Sequence, residues 1–284
     1  MPQQSNRPAV PRGLALSLAL VAVLGPAGID MYLASMLAMA RELHTSYANV
    51  QLSLTVFLLA LWRSLGLGAA VMLCTVVLSV LAGLAFRKRL AGGNTLFFIV
   101  VASLIMPSII VSLGIGLEFR LIDNAIKAAL EWLGMESALE GYGTSLGLFT
   151  SALGAHLTWT LPFGLLIMFA VFNRFNPAYE EAARDLGATP WQGFAHVVLP
   201  LIAPSVVGIG MFGFTLSWDE IARTSQAIGD VNTLPLELQG LTSTVTTPSI
   251  YALGTLTTVV SFAVMGITLA LVWALGRRGK GRPG

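Results

Sequence analysis

Residues 180–200 read EEAARDLGATPWQGFAHVVLP, a polar interruption in an otherwise apolar neighbourhood. Their residue types suit docking rather than bond-making: two carboxylates, small alanines, a glycine and a tryptophan. The local grammar predicts two short helices. Asn176 can cap the first, with Pro177 at the first helical position, where a missing N–H costs nothing. Glu180 and Glu181 fall early in that helix, which suits the positive end of its dipole. Gly187 can take the left-handed conformation that ends it. Thr189-Pro190-Trp191-Gln192 then reads as a capping box, with the Thr hydroxyl and the Gln side chain exchanging bonds with backbone N–H groups. The second helix runs toward Val198, and Leu199-Pro200 is expected to turn the chain into the next apolar stretch. An ordered knob of this length between apolar runs is more often functional than not.

A second set of candidates lies in or beside the apolar runs, where every ionisable group is a functional hypothesis by default. His156 sits within one run, followed by Trp159, Thr160 and Pro162. It either lines a pathway or hydrogen-bonds a neighbouring helix, and Pro162 predicts a kink with a cavity. Ser217, Trp218, Asp219 and Glu220 close another run. Carboxylates beside an aromatic face suit a cationic amine, through ion pairing and cation–π attraction. The bland alternative is an ordinary interfacial cluster with Trp218 in an aromatic belt. Asp30 is read as interfacial and Cys74 as a small core residue.

The elements that carry these residues must be membrane helices. The chain has 284 residues, is 55% hydrophobic and is 11% charged, against about 25% charged in a soluble domain. A span needs about 20 apolar residues. Candidates cover roughly 13–36, 66–86, 95–117, 145–171, 195–216 and 251–275. Arg7 and Arg12 before the first run imitate a signal peptide, but the apolar chain continues past Gly25, Ala27 and Gly28, so an uncleaved anchor is expected. With the N-terminus inside, eleven of the Lys and Arg residues fall on inner segments and five, including Arg223, on outer ones. That bias predicts an all-α bundle of six spans with both termini cytoplasmic.

Two stretches strain this scheme. Residues 47–62 are also apolar, and a helix over 47–86 would be about 60 Å long, twice the hydrocarbon thickness. A break near Arg63, or a covering partner, is expected. The outer segment 118–143 places Leu121, Ile122, Ile126, Ala129, Leu130 and Leu133 at helical spacing, which predicts a short amphipathic surface helix ended by Gly134. No G-x4-G-K-[ST] phosphate loop occurs, and the terminal GRRGKGRPG reads as a basic tail that orients the chain against lipid headgroups. No catalytic residue, metal ligand or bound cofactor is expected.

The spacing Glu181-Ala182-Ala183, three residues, Gly187, nine residues, Val197, one residue, Leu199-Pro200 resembles the EAA loop of ABC-importer permeases. The resemblance extends over roughly 62–284. AHLTWTLPFGLLIMFAVFNRFNPAYEEAARDLGA is most similar to permeases of the polyamine (spermidine/putrescine) type. It implies a type I permease bundle in which Glu180, Glu181, Ala182, Ala183, Gly187, Leu199 and Pro200 couple to a separate ATPase. It also implies a second permease subunit, a periplasmic or extracellular solute-binding protein and an inner-membrane location. ATP would be bound by the partner, and His156, Trp159, Trp218, Asp219 and Glu220 would line the solute pathway. Residues 25–59 instead resemble the start of bicyclomycin-resistance-type drug/proton antiporters of the major facilitator superfamily, carried by Gly28-Ile29-Asp30-Met31-Tyr32-Leu33 and AMARELHTS. The chain therefore reads as a hybrid of an antiporter-like 1–61 and a permease body 62–284. The rival reading is a fragment or fusion related to such an antiporter.

Overall fold

The computed structural model describes residues 46–87 and 92–244, with scattered positions at 36–44 and 254–270. The expected spans 13–36 and 251–275, Asp30 and the basic tail lie outside the described residues, save for isolated positions. Every element among the described residues is helical. The helices are α1 (Tyr47–Phe86), α2 (Gly93–Ala102), α3 (Ser108–Trp132), α4 (Glu136–Gly141), α5 (Leu153–Asn173), α6 (Ala178–Asp185), α7 (Pro190–Gly193), α8 (Leu199–Trp218) and α9 (Leu234–Thr244). Single π-helical turns, Leu148–Ala152 and Phe194–Val198, lead into α5 and α8.

The chain divides into two compact units, Met1–Val56 with Gly240–Ile267, and Phe57–Gln239 with Thr268–Gly284. Of the first unit little is described. In it the Tyr47 hydroxyl lies 4.0 Å from the Met36 sulfur. The second unit holds all the candidate residues discussed below.

Three helical stretches are long and apolar enough to cross a membrane: Thr55–Phe86, Leu148–Asn173 and Pro190–Trp218. Large apolar side chains stand exposed along them and on α2, among them Leu73, Leu81, Phe98 and Ile99. A water-soluble surface does not tolerate such contiguous exposure, and a lipid-facing one requires it. The chain is a multi-pass membrane protein.

Four expectations need correction. No break occurs near Arg63: α1 is a single 40-residue helix, because nothing in 47–86 removes a backbone donor. The 95–117 stretch is not one span. It stops at Ala102, turns through 103–107 and restarts at Ser108 behind Pro107, whose ring cannot continue the preceding helix. The short surface helix expected within 118–143 is instead the continuation of α3. Gly134, at φ +65°, does end it, but Leu121, Ile122 and Leu133 are exposed. The buried side chain there is Asp123. Finally, Leu199-Pro200 does not turn the chain. The helix runs on from Pro190 to Trp218, and the π-helical turn before Pro200 widens the backbone ring where a proline would otherwise meet the preceding turn.

Two apolar clusters pack α1 at different heights. One joins Val80 of α1, Met168 and Phe172 of α5, Val198, and Ile202 and Ile209 of α8. The other joins Leu67 and Val71 of α1 to Ala152 and Ile228. Between them α1 and α5 approach so closely that a Cβ on Gly164 would sit 2.1 Å from the Ser79 hydroxyl oxygen. Close approach through small residues is how membrane helices gain packing energy without a hydrophobic driving force.

Proline 162 lies inside α5 and cannot donate to the carbonyl of Thr158, four residues back. The Ser103 hydroxyl, from the turn after α2, donates to that oxygen at 2.6 Å. A kink and cavity were expected at Pro162; the freed acceptor is met by a neighbouring side chain.

Candidate functional site

The knob forms as its local grammar predicts. The Ala178 amide donates to the Asn176 side chain at 3.0 Å. At the other end of α6, Gly187 has φ +82°, and the Ala188 amide reaches back to the Ala183 carbonyl at 3.0 Å. That left-handed residue lets the chain reverse, and a side chain there would strain it. Thr189 and Gln192 make both bonds of the capping box, at 2.8 and 3.3 Å. α6 buries none of its residues. Glu181, Ala182 and Gly187 are exposed, and so are Leu186 at 89% and Trp191 at 72%. Leu199 and Pro200 are exposed as well, where α8 begins.

Glu180 differs from its neighbours. Its carboxylate takes both arms of the Arg87 guanidinium, at 3.1 and 2.8 Å. Arg87, just beyond the end of α1, also lies over the rings of Phe172 and Phe175, at 5.2 and 5.1 Å. A bidentate, charge-assisted pair flanked by two aromatic rings is far more ordered than an ordinary surface contact.

The other candidates gather at the far end of the same helices, since α8 begins at the knob and ends at Trp218. His156 is fully buried. One ring nitrogen lies 2.7 Å from the Ser217 hydroxyl and the other 2.9 Å from the Thr224 hydroxyl. Both nitrogens are thus engaged in joining α5 to α8 and to the segment after it. Trp218 is buried and stacks on Phe214, with centroids 5.8 Å apart. Glu220 accepts a hydrogen bond from the Arg223 amide at 2.8 Å, while Asp219 is exposed. The face of Trp159 is already covered: the Arg223 guanidinium lies 5.3 Å from its ring centroid. Arg223 is only 2% exposed and donates to the Thr158 hydroxyl. The structure therefore brings His156, Trp159 and Trp218 into one buried polar layer, with Glu220 at its edge and Asp219 outside it.

Other bonds close the layer. The Ser112 hydroxyl of α3 donates to the Arg223 carbonyl and accepts from the Gln226 amide. A Cβ on Gly116 would fall 2.4 Å from the Gln226 carbonyl oxygen. Ser151 donates to the Ala227 carbonyl. The 219–228 segment is thereby sewn to α3 and α5.

The described residues thus carry an exposed two-helix knob at one end of long apolar helices and a buried polar layer at the other. A family model described as "Binding-protein-dependent transport system inner membrane component" matches residues 75–276. The chain belongs to this family. A PotC homolog of Mycoplasma genitalium, described as a spermidine/putrescine transport system permease protein, is 30% identical over 192 residues, covering 67% of this chain and 62% of the relative. The putrescine transport system permease protein PotI of Escherichia coli is 28% identical over 222 residues, covering 77% and 72%. Among solved structures, an inward-facing form of the MetNI methionine ABC transporter has a chain that aligns with a TM-score of 0.56 at 19% identity. The alignment covers 81% of this chain and 99% of that one. The likeness shows the fold, and the helices of this inner membrane component follow the type I permease bundle that the EAA resemblance implies.

Four residues of this inner membrane component escaped the sequence reading. Arg87 and Arg223 entered it only as votes on sidedness. Ser103 was foreshadowed by Pro162, because an interior proline always frees a carbonyl four residues back. Asp123 shares a helical face with Ile126 and Leu130, a buried acid on an apolar stripe, and that signal was legible. Its carboxylate accepts from the Tyr142 hydroxyl at 2.7 Å, the Thr144 hydroxyl at 2.6 Å and the Ser145 amide at 2.7 Å. Hydrogen bonding, led by the Ser145 side chain and then Thr144, holds its pKa well below the usual carboxylate range.

Proposed function

We propose that the chain is the transmembrane permease subunit of an ABC importer that moves polyamines or a similar small solute across a bacterial inner membrane. Transport proceeds by alternating access. A separate ATPase subunit binds and hydrolyses ATP and closes on the knob, and its movement rocks the helices that the knob heads. A second permease subunit completes the pathway, and a solute-binding protein delivers the cargo from outside. The observation that carries this reading is the exposed α6–Gly187–α7 unit: capped by Asn176, by the backbone reversal at Gly187 and by the Thr189–Gln192 box, without buried residues, and presenting Glu181, Ala182, Leu186 and Trp191 outward. A rigid convex element of that kind fits a groove on a folded partner.

The polyamine assignment rests on the spermidine/putrescine relatives named above; Asp219, exposed at the end of α8 with Glu220 beside it, is the carboxylate that would meet a passing ammonium. Residues 1–61 are read as a replaced opening of antiporter type, and the family match begins after them, at residue 75. The experiment is a pull-down from detergent-solubilised membranes with identification of the bound chains. An ABC ATPase is expected with the wild type. Gly187→Asp, which forces a side chain into a left-handed residue, is expected to abolish putrescine uptake while leaving the chain in the membrane. Normal uptake by that variant, or a stable wild-type chain that retains no ATPase, would reject the reading.

A further inference from the structure

Glu180 and Glu181 are adjacent, and both suit the first turn of a docking helix. The structure separates them. Glu181 points into solvent among the outward residues of α6, whereas Glu180 is committed to Arg87. We propose that the Arg87–Glu180 pair is an internal tie that carries load from the knob into α1, and that Glu180 is a positioning residue rather than a contact for the ATPase. This rests on the docking reading above.

The physical case starts from what else could hold α6. None of its residues is buried, so it has no apolar anchor of its own. It packs against the Phe194–Val198 turn, Tyr179 approaches Phe175 edge-on with centroids 6.2 Å apart, and Glu180 makes the bidentate pair to Arg87. Backbone continuity joins α6 to α5 and α7 but not to α1. Arg87 closes that gap: its amide bonds the Gly83 carbonyl at 3.4 Å, continuing the last turn of α1, and its guanidinium stands between two rings of the α5 end. One planar cation therefore gathers α1, α5 and α6. Planarity matters, because a lysine could balance the charge but could neither grip both carboxylate oxygens nor stack on the rings. An ordinary half-exposed pair contributes little to stability. Here the fork and the aromatic walls fix an orientation, which is what transmitting a displacement requires. α1 is unbroken over 40 residues, so a push at Glu180 meets a rod without a compliant joint.

The test uses the full-length chain in lipid nanodiscs, with Cys74→Ser and spin labels at Ala182→Cys on α6 and Leu81→Cys on α1. Wild type at the pair is expected to give one narrow distance peak. Arg87→Met and Glu180→Gln should each lose that peak, and combining them should add nothing. The exchange Arg87→Glu with Glu180→Arg should restore it, which a merely unfolded knob would not do. Arg87→Lys should restore it only in part. A narrow peak that survives either single substitution overturns the proposal. In unlabelled chains, Arg87→Met and Glu180→Gln should retain ATPase equally in the pull-down. If Glu180→Gln alone sheds the ATPase, Glu180 is a docking residue and the tie is rejected. If even the wild type retains none, the docking reading fails, while the distance measurement still decides whether the pair binds α6 to α1.

Discussion

The knob and the polar layer sit at opposite ends of α5 and α8, and they are built on opposite principles. The knob takes its shape from contacts between residues two to five apart, Asn176 to Ala178, Ala188 to Ala183 and Thr189 to Gln192, and is tied to α1 by the Glu180–Arg87 pair. The layer is held by contacts between residues 61 to 114 apart, such as His156 to Ser217 and Gln226 to Ser112. A locally held element can move as a body without losing its shape, whereas a layer sewn from three helices moves only if those helices move. Under the proposed function, force would enter at the knob and access would change at the layer.

Substitutions can break or sharpen this contrast. The largest effect is expected in the layer. His156→Ala leaves the Ser217 hydroxyl without its buried partner, at about 1–3 kcal/mol, while the Thr224 hydroxyl keeps the Glu220 carbonyl. The thermal unfolding midpoint in detergent should fall accordingly. A midpoint close to wild type would mean that the layer is not the rigid end.

An intermediate effect should appear at Asp123, outside the apolar spans. Its folded pKa lies below that of a free carboxyl, so its stabilisation is present above the unfolded value, near pH 4, and is lost as pH falls through the folded value. Hydrogen exchange at the Ser145 amide, corrected for its intrinsic pH dependence, should show constant protection from neutrality down to about pH 4. Protection should weaken below that, and Asp123→Asn should remove the pH dependence. A pH-independent wild type would disconnect the 142–145 turn from α3.

The smallest effect belongs to the knob. Thr189→Ala removes one half of the capping box at about 1 kcal/mol. Exchange at the Gln192 amide should quicken while the global midpoint stays put. A global loss as large as that of His156→Ala would erase the distinction between the two ends.

The same contrast governs what could be read from the amino acids in advance. Caps, a left-handed glycine and a helix-opening proline are short-range devices, so the knob was legible residue by residue. Apolar length revealed most of the helices, but Pro107 divided one expected span, and nothing in 47–86 marked the break that excess length seemed to demand. The long-range partners of His156 could not be named, because a side chain buried in a membrane helix chooses its acceptor from other helices. Arg223 shows the limit most clearly: composition counts it as a loop charge, while packing buries it against Trp159 and Thr158.

Proline 162 and Ser103 illustrate a dependency between distant positions. Restoring an ordinary residue at 162 would give the Thr158 carbonyl a second suitor from its own helix and leave the serine's hydroxyl to the Val100 carbonyl, 2.7 Å away. Removing the serine alone would strand an oxygen inside the bundle. The two letters, 59 apart in the chain, should therefore drift together or not at all when kindred sequences are laid side by side.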